Sequence, residues 1–435
     1  MRLPNLPYAG KKTKRSTIQW SGLNRRALIS DNELSSTTNA STKNSPLLSP
    51  RPSREALYTL GTGNALFTGP QLAWVDGTDF KYNNVSKGVV TSSVKYMVDF
   101  NGKIIIFPDK KSYDYIADSF ATFGSGTYPT AGSVPNVDYV CVLDNRIWAV
   151  KGDDIYSTAL GDHADWTTFS SPSEATDAYH VDTGFTGDFT GIATYKGTII
   201  AFKRDHMLKL FGDIPSNFQF IRITDLGCVS HKSIKEVNNV LFYLGPKGVY
   251  AYTGGLPDLI SENLDENYVS AVAGGDKRRY YLSLYNGSSY KLYVYDTWYN
   301  TWLQEDTLQV KDFAYLNGYV YALAADNKIY KFNSGTETVT WEVITKQFTE
   351  EILGKKGHSQ LNFRVDLEED STLTVSTKIN NGEWAVVKTY STENLSSFIA
   401  PVKINRADHF QIKLSCVGEG KIYAMERIFY VGSEI

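Results

Sequence analysis

The chain has 435 residues, of which 42% are hydrophobic and 13% aromatic, and a formal net charge of −3. This length allows two or three domains, and so small a net charge neither favours nor excludes nucleic acid as a partner. No apolar run approaches the roughly 18 residues of a membrane span, and no window has a sustained helical period. We therefore expect an all-β protein without a membrane span.

Residues 1–55 are predicted to form an extended arm rather than a domain. They are rich in Ser, Asn, Thr, Lys and Pro, and they carry seven basic but no acidic residues before Asp31. Such a segment cannot offset its ordering entropy with a core of its own. We expect residues 18–20 and 27–29 to dock as short strands, with the polar tract 35–43 as a tether. The start of the chain has no apolar h-region, so no secretory signal is expected.

Residues 56–337 are predicted to form a β-propeller, because a hairpin pattern recurs about every forty residues. Each copy is an apolar run, a two-residue turn, a second apolar run, a polar break and a third, aromatic run. Turns such as Asn-Gly tolerate positive φ at both positions, as a type I′ hairpin requires. The predicted turns are Asn101-Gly102, Asp144-Asn145, Lys196-Gly197, Asn238-Asn239, Asn286-Gly287 and Asn317-Gly318. A degenerate first copy with Asp76-Gly77 suggests seven blades, with six as the alternative.

Residues 338–435 are predicted to form a C-terminal β-sandwich, since the forty-residue period ends and short strands follow about every ten residues. Asn381-Gly382 marks a hairpin turn. The expected strands are 340–348, 359–367, 371–379, 384–389, 398–404, 409–416 and 422–430.

No specific catalytic, cofactor or metal site is predicted. The acid pair Asp153-Asp154 and the acidic run 368–370 are expected at solvated turns, where carboxylates need no partner. Cys228-x-x-His231 has the spacing of a zinc-ligand pair but lacks a second pair. The glycine-rich run 184–191 lacks the Lys-Ser/Thr of a phosphate loop.

The cysteines and tryptophans are expected to be structural. Buried free thiols are the expectation for the three cysteines, Cys141, Cys228 and Cys416. Five tryptophans could stack on sugars, although aromatics on strands are more often core residues. These are Trp74, Trp148, Trp166, Trp298 and Trp302.

The arm carries a motif that resembles a known family. Gly22-Leu23-Asn24, a Glu33-Leu34 step and a Pro-Leu-Leu-Ser-Pro-Arg box at 46–51 are similar to the opening of the stabilisation or tail-nozzle proteins of tailed bacteriophages. The family's Asn-Met step is Asn39-Ala40 here, and residues 406–412 and 430–433 match the family's C-terminal end in kind. The resemblance implies that the arm residues serve in assembly: Trp20, Gly22, Leu23, Asn24, Pro46, Leu47, Leu48, Pro50, Arg51 and Arg54. We expect Arg51 and Arg54 where the arm meets the first blade.

The resemblance implies a structural, non-enzymatic protein of the virion tail, synthesised in the host cytoplasm and needing no cofactor. Members of the family form a homo-oligomeric ring, typically of about six copies, beside other tail and connector proteins. DNA passes nearby without sequence-specific binding. Two alternatives remain open: a glycan-binding or glycan-cleaving propeller, whose cleavage would need paired acids at the propeller mouth, and a monomeric kelch-like interaction scaffold.

Overall fold

The computed structural model describes residues 12–431, which fold almost entirely into β-strands. Its helical elements are three single 3-10 turns, Pro215–Asn217, His231–Ser233 and Glu262–Leu264. Between residues 12 and 431 no helix has the length and hydropathy of a membrane-spanning segment. The all-β class, with a propeller followed by a sandwich, is confirmed.

Seven antiparallel four-stranded sheets form the blades of the propeller. Blade 1 comprises Gly63–Thr68, Leu72–Asp76, Asp79–Tyr82 and Val85–Val89; blade 2, Tyr96–Phe100, Lys103–Phe107, Lys111–Asp114 and Ser119–Thr122; blade 3, Tyr139–Leu143, Arg146–Lys151, Asp154–Ser157 and Tyr179–Asp182; blade 4, Phe189–Tyr195, Thr198–Lys203, Met207–Phe211 and Gln219–Thr224. Blade 5 comprises Lys235–Val237, Val240–Gly245, Gly248–Tyr252 and Asp258–Leu259; blade 6, Ser270–Gly275, Arg279–Tyr285, Tyr290–Asp296 and Thr301–Asp306; blade 7, Val310–Leu316, Tyr319–Ala324, Lys328–Phe332 and, as its outermost strand, Arg54–Thr59.

Blade 7 closes the ring with a strand from the other end of the propeller sequence. Arg54–Thr59 pairs antiparallel with Lys328–Phe332. The first copy predicted from sequence is therefore divided, because its opening residues complete the last blade while Gly63–Val89 builds the first. A blade shared between the two ends of the domain can open only if interstrand hydrogen bonds break.

The propeller core consists of apolar clusters between neighbouring blades rather than one central core. A cluster joins each consecutive pair of blades from 1–2 to 6–7. A further cluster joins blade 7 back to blade 1, where Leu323 and Ile329 pack with Leu66 and Trp74. Each sheet thus buries both faces against its neighbours, which is why the blades stack around an axis.

Most of the predicted hairpin turns have the expected backbone. Asn101-Gly102, Asp144-Asn145, Lys196-Gly197, Asn238-Asn239 and Asn317-Gly318 have positive φ at both residues. At Asp76-Gly77 the turn is shifted by one residue, since Asp76 pairs with Asp79 across Gly77 and Thr78. At Asn286-Gly287 a longer turn forms, in which the Asn286 amide donates to the Ser289 carbonyl oxygen.

The C-terminal domain is a sandwich of two sheets, and all seven predicted strands are present. One sheet has the order Thr13–Thr17, Gly420–Val431, Lys356–Leu367 and Asn394–Ala407. The other has the order Leu34–Thr38, Thr340–Thr345, Phe410–Val417, Thr372–Ile379 and Trp384–Tyr390. The first strand in each order comes from the N-terminal arm.

The arm forms strands at other positions than the sequence predicted. Residues 18–20 and 27–29 are not strands, and the polar tract contains Leu34–Thr38 and Ala40–Ser41, which pairs with Ser49–Pro50. Backbone pairing along a sheet edge needs no apolar side chains, so a Ser/Thr-rich segment can be a strand. The tether prediction is therefore wrong.

Candidate functional site: the arm junction and the axial cavity

The first half of the arm motif lies between blade 6 and the sandwich. Trp20 is buried in the sandwich core together with Leu303 of blade 6. The Leu23 amide donates to the Trp302 carbonyl oxygen at 2.8 Å, and the Leu23 side chain enters the cluster between blades 5 and 6. Gly22 has a φ of +88°, and a Cβ there would lie 2.1 Å from Thr301 Cγ2. Only glycine lets the arm approach blade 6 this closely.

Asn24 and its neighbour Arg25 fix the next stretch of the arm. Asn24 is buried, and its side-chain amide donates to Glu33 Oε1 at 2.8 Å. The Arg25 guanidinium donates to Glu266 Oε1, the Tyr293 hydroxyl and Gln304 Oε1, each at 2.6 Å. The sequence did not identify Arg25 as an anchoring residue. The one sequence feature that could have indicated this role is its position directly after Gly22-Leu23-Asn24.

The Pro-Leu-Leu-Ser-Pro-Arg box runs along the sandwich. Leu48 is buried in the sandwich core and forms a β-bridge with Ile422. Pro50 is buried in the short sheet with Ala40–Ser41. Leu47 is half-buried and Pro46 is exposed, although the Pro46 carbonyl oxygen accepts a hydrogen bond from the Trp20 amide at 3.0 Å. The two halves of the motif therefore meet.

Arg51 and Arg54 pair with carboxylates of blade 6 and of the link between blade 7 and the sandwich, rather than with groups of the first blade. Arg51 donates to Asn39 Oδ1 at 2.8 Å and to Glu337 Oε1 at 3.1 Å. Arg54 pairs with Glu305, donates to Asp306 Oδ2 at 2.5 Å and lies over the Phe332 ring.

The ion pairs of Arg54 are buried. Burial alone would lower the pKa of Arg54, and the two carboxylates of Glu305 and Asp306 outweigh it, so the pKa is raised. The guanidinium is therefore a fixed charge that holds the closing strand of blade 7 against blade 6.

A second buried charge cluster attaches the arm to the sandwich, and no local sequence pattern indicates it. Arg427 is fully buried, donates to Glu350 Oε1 at 2.9 Å and to Asp31 Oδ2 at 2.5 Å, and lies over the Phe348 ring. Asp31 also pairs with Lys346 at 2.8 Å. Asp31 lies more than 300 residues before its partners Lys346 and Arg427 in sequence, so only the fold brings them together.

The basic residues near the start of the arm that the structure describes face the same sandwich. Lys14 pairs with Glu426 at 3.3 Å, and Arg15 pairs with Glu351 at 2.7 Å. The acidic partners of Lys14 and Arg15 belong to the same chain. Lys11 lies outside the described residues.

A cavity of about 570 Å³ lies on the propeller axis, at the face where the innermost strands begin. The His231 ring stacks on Tyr139 with 4.3 Å between centroids, and Tyr96 stands edge-on to both rings at 5.2 and 5.3 Å. Lys232 reaches across the axis to Asp312 of blade 7 at 3.0 Å. The cavity is thus lined by aromatic rings and by lysines.

The segment that carries His231 depends on a glycine of blade 4. A Cβ on Gly191 would lie 2.5 Å from Ile234 Cδ1 and 3.3 Å from His231 Nδ1. Gly191 therefore lets the 3-10 turn His231–Ser233 rest against blade 4 and fill that side of the axis. Burial, assisted by the charge of Lys232, lowers the pKa of His231 to about 3, so the imidazole is neutral.

The acidic candidates are engaged within the protein or exposed at turns. Asp153 pairs with Lys203 at 2.9 Å, and Asp154 Oδ1 accepts a hydrogen bond at 3.1 Å from His180 Nε2 in the tautomer that carries its proton there. Residues 368–370 follow Leu367 in an exposed turn, as predicted.

Most of the other candidates lie in the core. Trp74, Trp148, Trp166 and Trp302 are buried between blades, whereas Trp298 is 66% exposed. Cys228 is buried close to the axis, and burial raises the pKa of its thiol to about 12. Cys141, Cys228 and Cys416 are free thiols.

Comparisons with known proteins found structural similarity only. No protein-family model matches the chain, and no curated protein matches its sequence. Among solved structures, the computationally designed Ika8 protein is 12% identical with a TM-score of 0.43, covering 73% of this chain and 98% of its own. BamB from Moraxella catarrhalis is 11% identical with a TM-score of 0.41, covering 66% and 99%. An exo-β-1,3-galactanase from Phanerochaete chrysosporium is 8% identical with a TM-score of 0.28, covering 70% and 99%. Likenesses this loose carry no argument about function.

Proposed function

We propose that this protein is a structural, non-enzymatic component of a tailed-bacteriophage virion, one subunit of a ring at the tail nozzle or head-to-tail connector. The arm junction supports the proposal. The arm, which carries the motif that resembles the phage family, supplies an edge strand to each sandwich sheet and anchors on blade 6 through Arg25 and Arg54. An arm held in this way joins propeller and sandwich into one stiff body, which suits a subunit that carries mechanical load.

A ring of such subunits would close through a heterologous contact, in which one surface of each copy meets a different surface of the next. We infer that neighbouring tail and connector proteins bind the rims of that ring and that DNA passes through it without sequence-specific contacts.

Electron microscopy tests the proposal directly. Negative-stain images of the purified protein are expected to show closed rings, and antibodies against the sandwich are expected to label phage tails. A protein that stays monomeric at all concentrations and is absent from the particles would contradict the proposal. Hydrolysis of host polysaccharide that is abolished by Asp153→Asn would contradict its non-enzymatic part.

Glycan binding is the second candidate function, and the axial cavity favours it. The wall presents the rings of Tyr96, Tyr139 and His231 beside hydroxyl and amide groups. Aromatic rings pack against the apolar C–H faces of sugars, and polar groups hydrogen-bond their hydroxyls. The described residues that line the cavity include no Asp or Glu. This favours binding over cleavage by an acid pair.

A further inference from the structure

The axial cavity has the size and shape of a small-molecule site. Its volume of about 570 Å³ falls within the roughly 300–1,000 Å³ that is typical of such sites. It is lined by the beginnings of inner strands from blades 1, 2, 3, 6 and 7, by Ser283 and Tyr290 of the next strands of blade 6, and by the segment Val229–Lys232 before blade 5.

The charge of the wall is positive. Two lysines line the cavity, Lys232 and Lys311. The Lys232 charge is matched by Asp312, whereas Lys311 donates to the Gly63 carbonyl oxygen at 3.2 Å and to Asn327 Oδ1 at 2.8 Å. Among residues 12–431 no carboxylate pairs with Lys311, so one positive charge remains for an anionic group of a ligand.

The aromatic side of the wall is neutral. Burial raises the pKa of the Tyr96 and Tyr139 hydroxyls, and the His231 imidazole stays uncharged. These groups can exchange hydrogen bonds with hydroxyls without adding charge, and their rings add apolar surface to the wall. Ser270 and Gln309 add further polar groups at the same face.

We propose that the axial cavity binds one carboxylate-bearing sugar unit, such as a uronic acid residue of a polysaccharide, with its carboxylate at Lys311 and its ring against Tyr139 and His231. This inference rests on the second candidate function and names its site and ligand class. The site binds and does not cleave.

Isothermal titration calorimetry on the full chain tests the ligand class with three probes. These are a glucuronic acid disaccharide, the matched glucose disaccharide that lacks the carboxylates, and inorganic phosphate. We expect the acidic sugar to bind at least about tenfold more tightly than the neutral one, which corresponds to about 1.4 kcal/mol, and phosphate not to compete. Equal binding of the neutral sugar, or effective competition by phosphate, would overturn the ligand class.

Three variants test the location. Lys311→Met is expected to weaken acidic-sugar binding at least about tenfold, and Lys311→Arg is expected to restore it. Because Lys311 also bridges blades 7 and 1, Val94→Trp provides a second test; Val94 is exposed at the rim, so the indole should block the mouth without disturbing the core.

The matched control is Trp298→Ala, on the exposed outer turn of blade 6, which should bind like the unchanged protein. Binding that survives Val94→Trp but is lost in Trp298→Ala would place the sugar on the outer surface. That result would overturn this inference and leave glycan binding intact. Failure of every sugar probe to bind would overturn both.

Discussion

Single residues of the arm are held by shape at some positions and by charge at others. Gly22 is required by a close approach and a positive φ, and Arg54 by two carboxylates in a buried setting. The resemblance identified both residues from sequence, but neither physical reason was visible there. Thr301 and Glu305 lie about 250 to 280 residues away, and only the fold brings them next to the arm.

Gly22→Ala is expected to detach this stretch of the arm from blade 6. The new Cβ would lie 2.1 Å from Thr301 Cγ2 and 2.8 Å from the Trp302 carbonyl oxygen. A left-handed non-glycine residue costs about 1–3 kcal/mol by itself, and the overlap adds to that cost. Urea unfolding should show the loss, and limited proteolysis should cut the arm faster.

Gly197→Ala is the matched control, because Gly197 also has positive φ but has nothing within 4 Å of its would-be Cβ. It should show the backbone cost alone. Equal effects of the two substitutions would mean that the contact with blade 6 is not tight.

Arg54→Met is expected to destabilise the propeller by about 3–5 kcal/mol, because it leaves Glu305 buried without its cation. Arg26→Met at the solvent-exposed pair with Glu262 is the control and should cost less than about 1 kcal/mol. The comparison uses chemical unfolding at neutral pH. A cost of Arg54→Met within the control's range would show that the buried pair adds nothing beyond packing.

Among the secondary-structure elements, the sequence correctly predicted those that depend on a local residue pattern. The type I′ turns and the seven sandwich strands follow from turn chemistry and period-two alternation, which act within a few residues. The arm strands Thr13–Thr17 and Leu34–Thr38 were missed because their pairing is supplied by strands Gly420–Val431 and Thr340–Thr345. Their polar side chains give no alternation that the sequence could reveal. Residues 56–59 were assigned to the first blade, whereas they belong to the last one, because their pairing partner Lys328–Phe332 comes from the other end of the propeller sequence.

Thr37→Val is expected to weaken the contact between the arm strand Leu34–Thr38 and blade 6. The buried Thr37 hydroxyl accepts from the Gln304 amide at 2.8 Å and donates to the Gln304 carbonyl oxygen at 3.2 Å. Valine keeps the shape and the strand propensity of threonine but leaves the backbone N–H and C=O of Gln304 without these partners. We expect this to lower the free energy of unfolding by about 1–3 kcal/mol. Chemical unfolding measures the loss.

Thr38→Val is the control one residue on, where the side chain is exposed and should be replaced without effect. Similar losses at both positions would point to strand propensity rather than to the Gln304 hydrogen bonds.

At the scale of the whole molecule, the two termini of the described chain are tied into shared sheets. The propeller is closed by a strand that precedes it, and the sandwich is edged by two arm strands that precede the propeller. Unfolding of the arm therefore leaves Trp20, Leu34 and Leu48 out of the sandwich core. The sequence predicted three consecutive segments, whereas the arm is structurally part of both other units.

This coupling makes the stability of the molecule depend on pH through the buried charge cluster at the arm. Burial alone would raise the pKa of both Asp31 and Glu350. Hydrogen bonds and charges outweigh this effect, from Lys346 and Arg427 at Asp31. At Glu350 they come from His358 and Arg427. Both pKa values are therefore below their ordinary values of 3.8 and 4.5. A carboxylate whose pKa is depressed in the folded state binds fewer protons than in the unfolded chain, so stability rises with pH across that range.

We expect arm stability to fall as the pH drops below about 5 and through the folded pKa values of Asp31 and Glu350. Hydrogen exchange of peptides from Thr13–Thr17 and Leu34–Thr38, measured by mass spectrometry from neutral pH downward and corrected for the intrinsic rate, reports the opening of the arm. Glu350→Gln should speed exchange at neutral pH, because Arg427 loses a buried partner, and should make the acid dependence shallower. Asp366→Asn, at the partly exposed pair with Lys421, should change neither. An unchanged acid profile in Glu350→Gln would assign the pH dependence to carboxylates elsewhere in the fold.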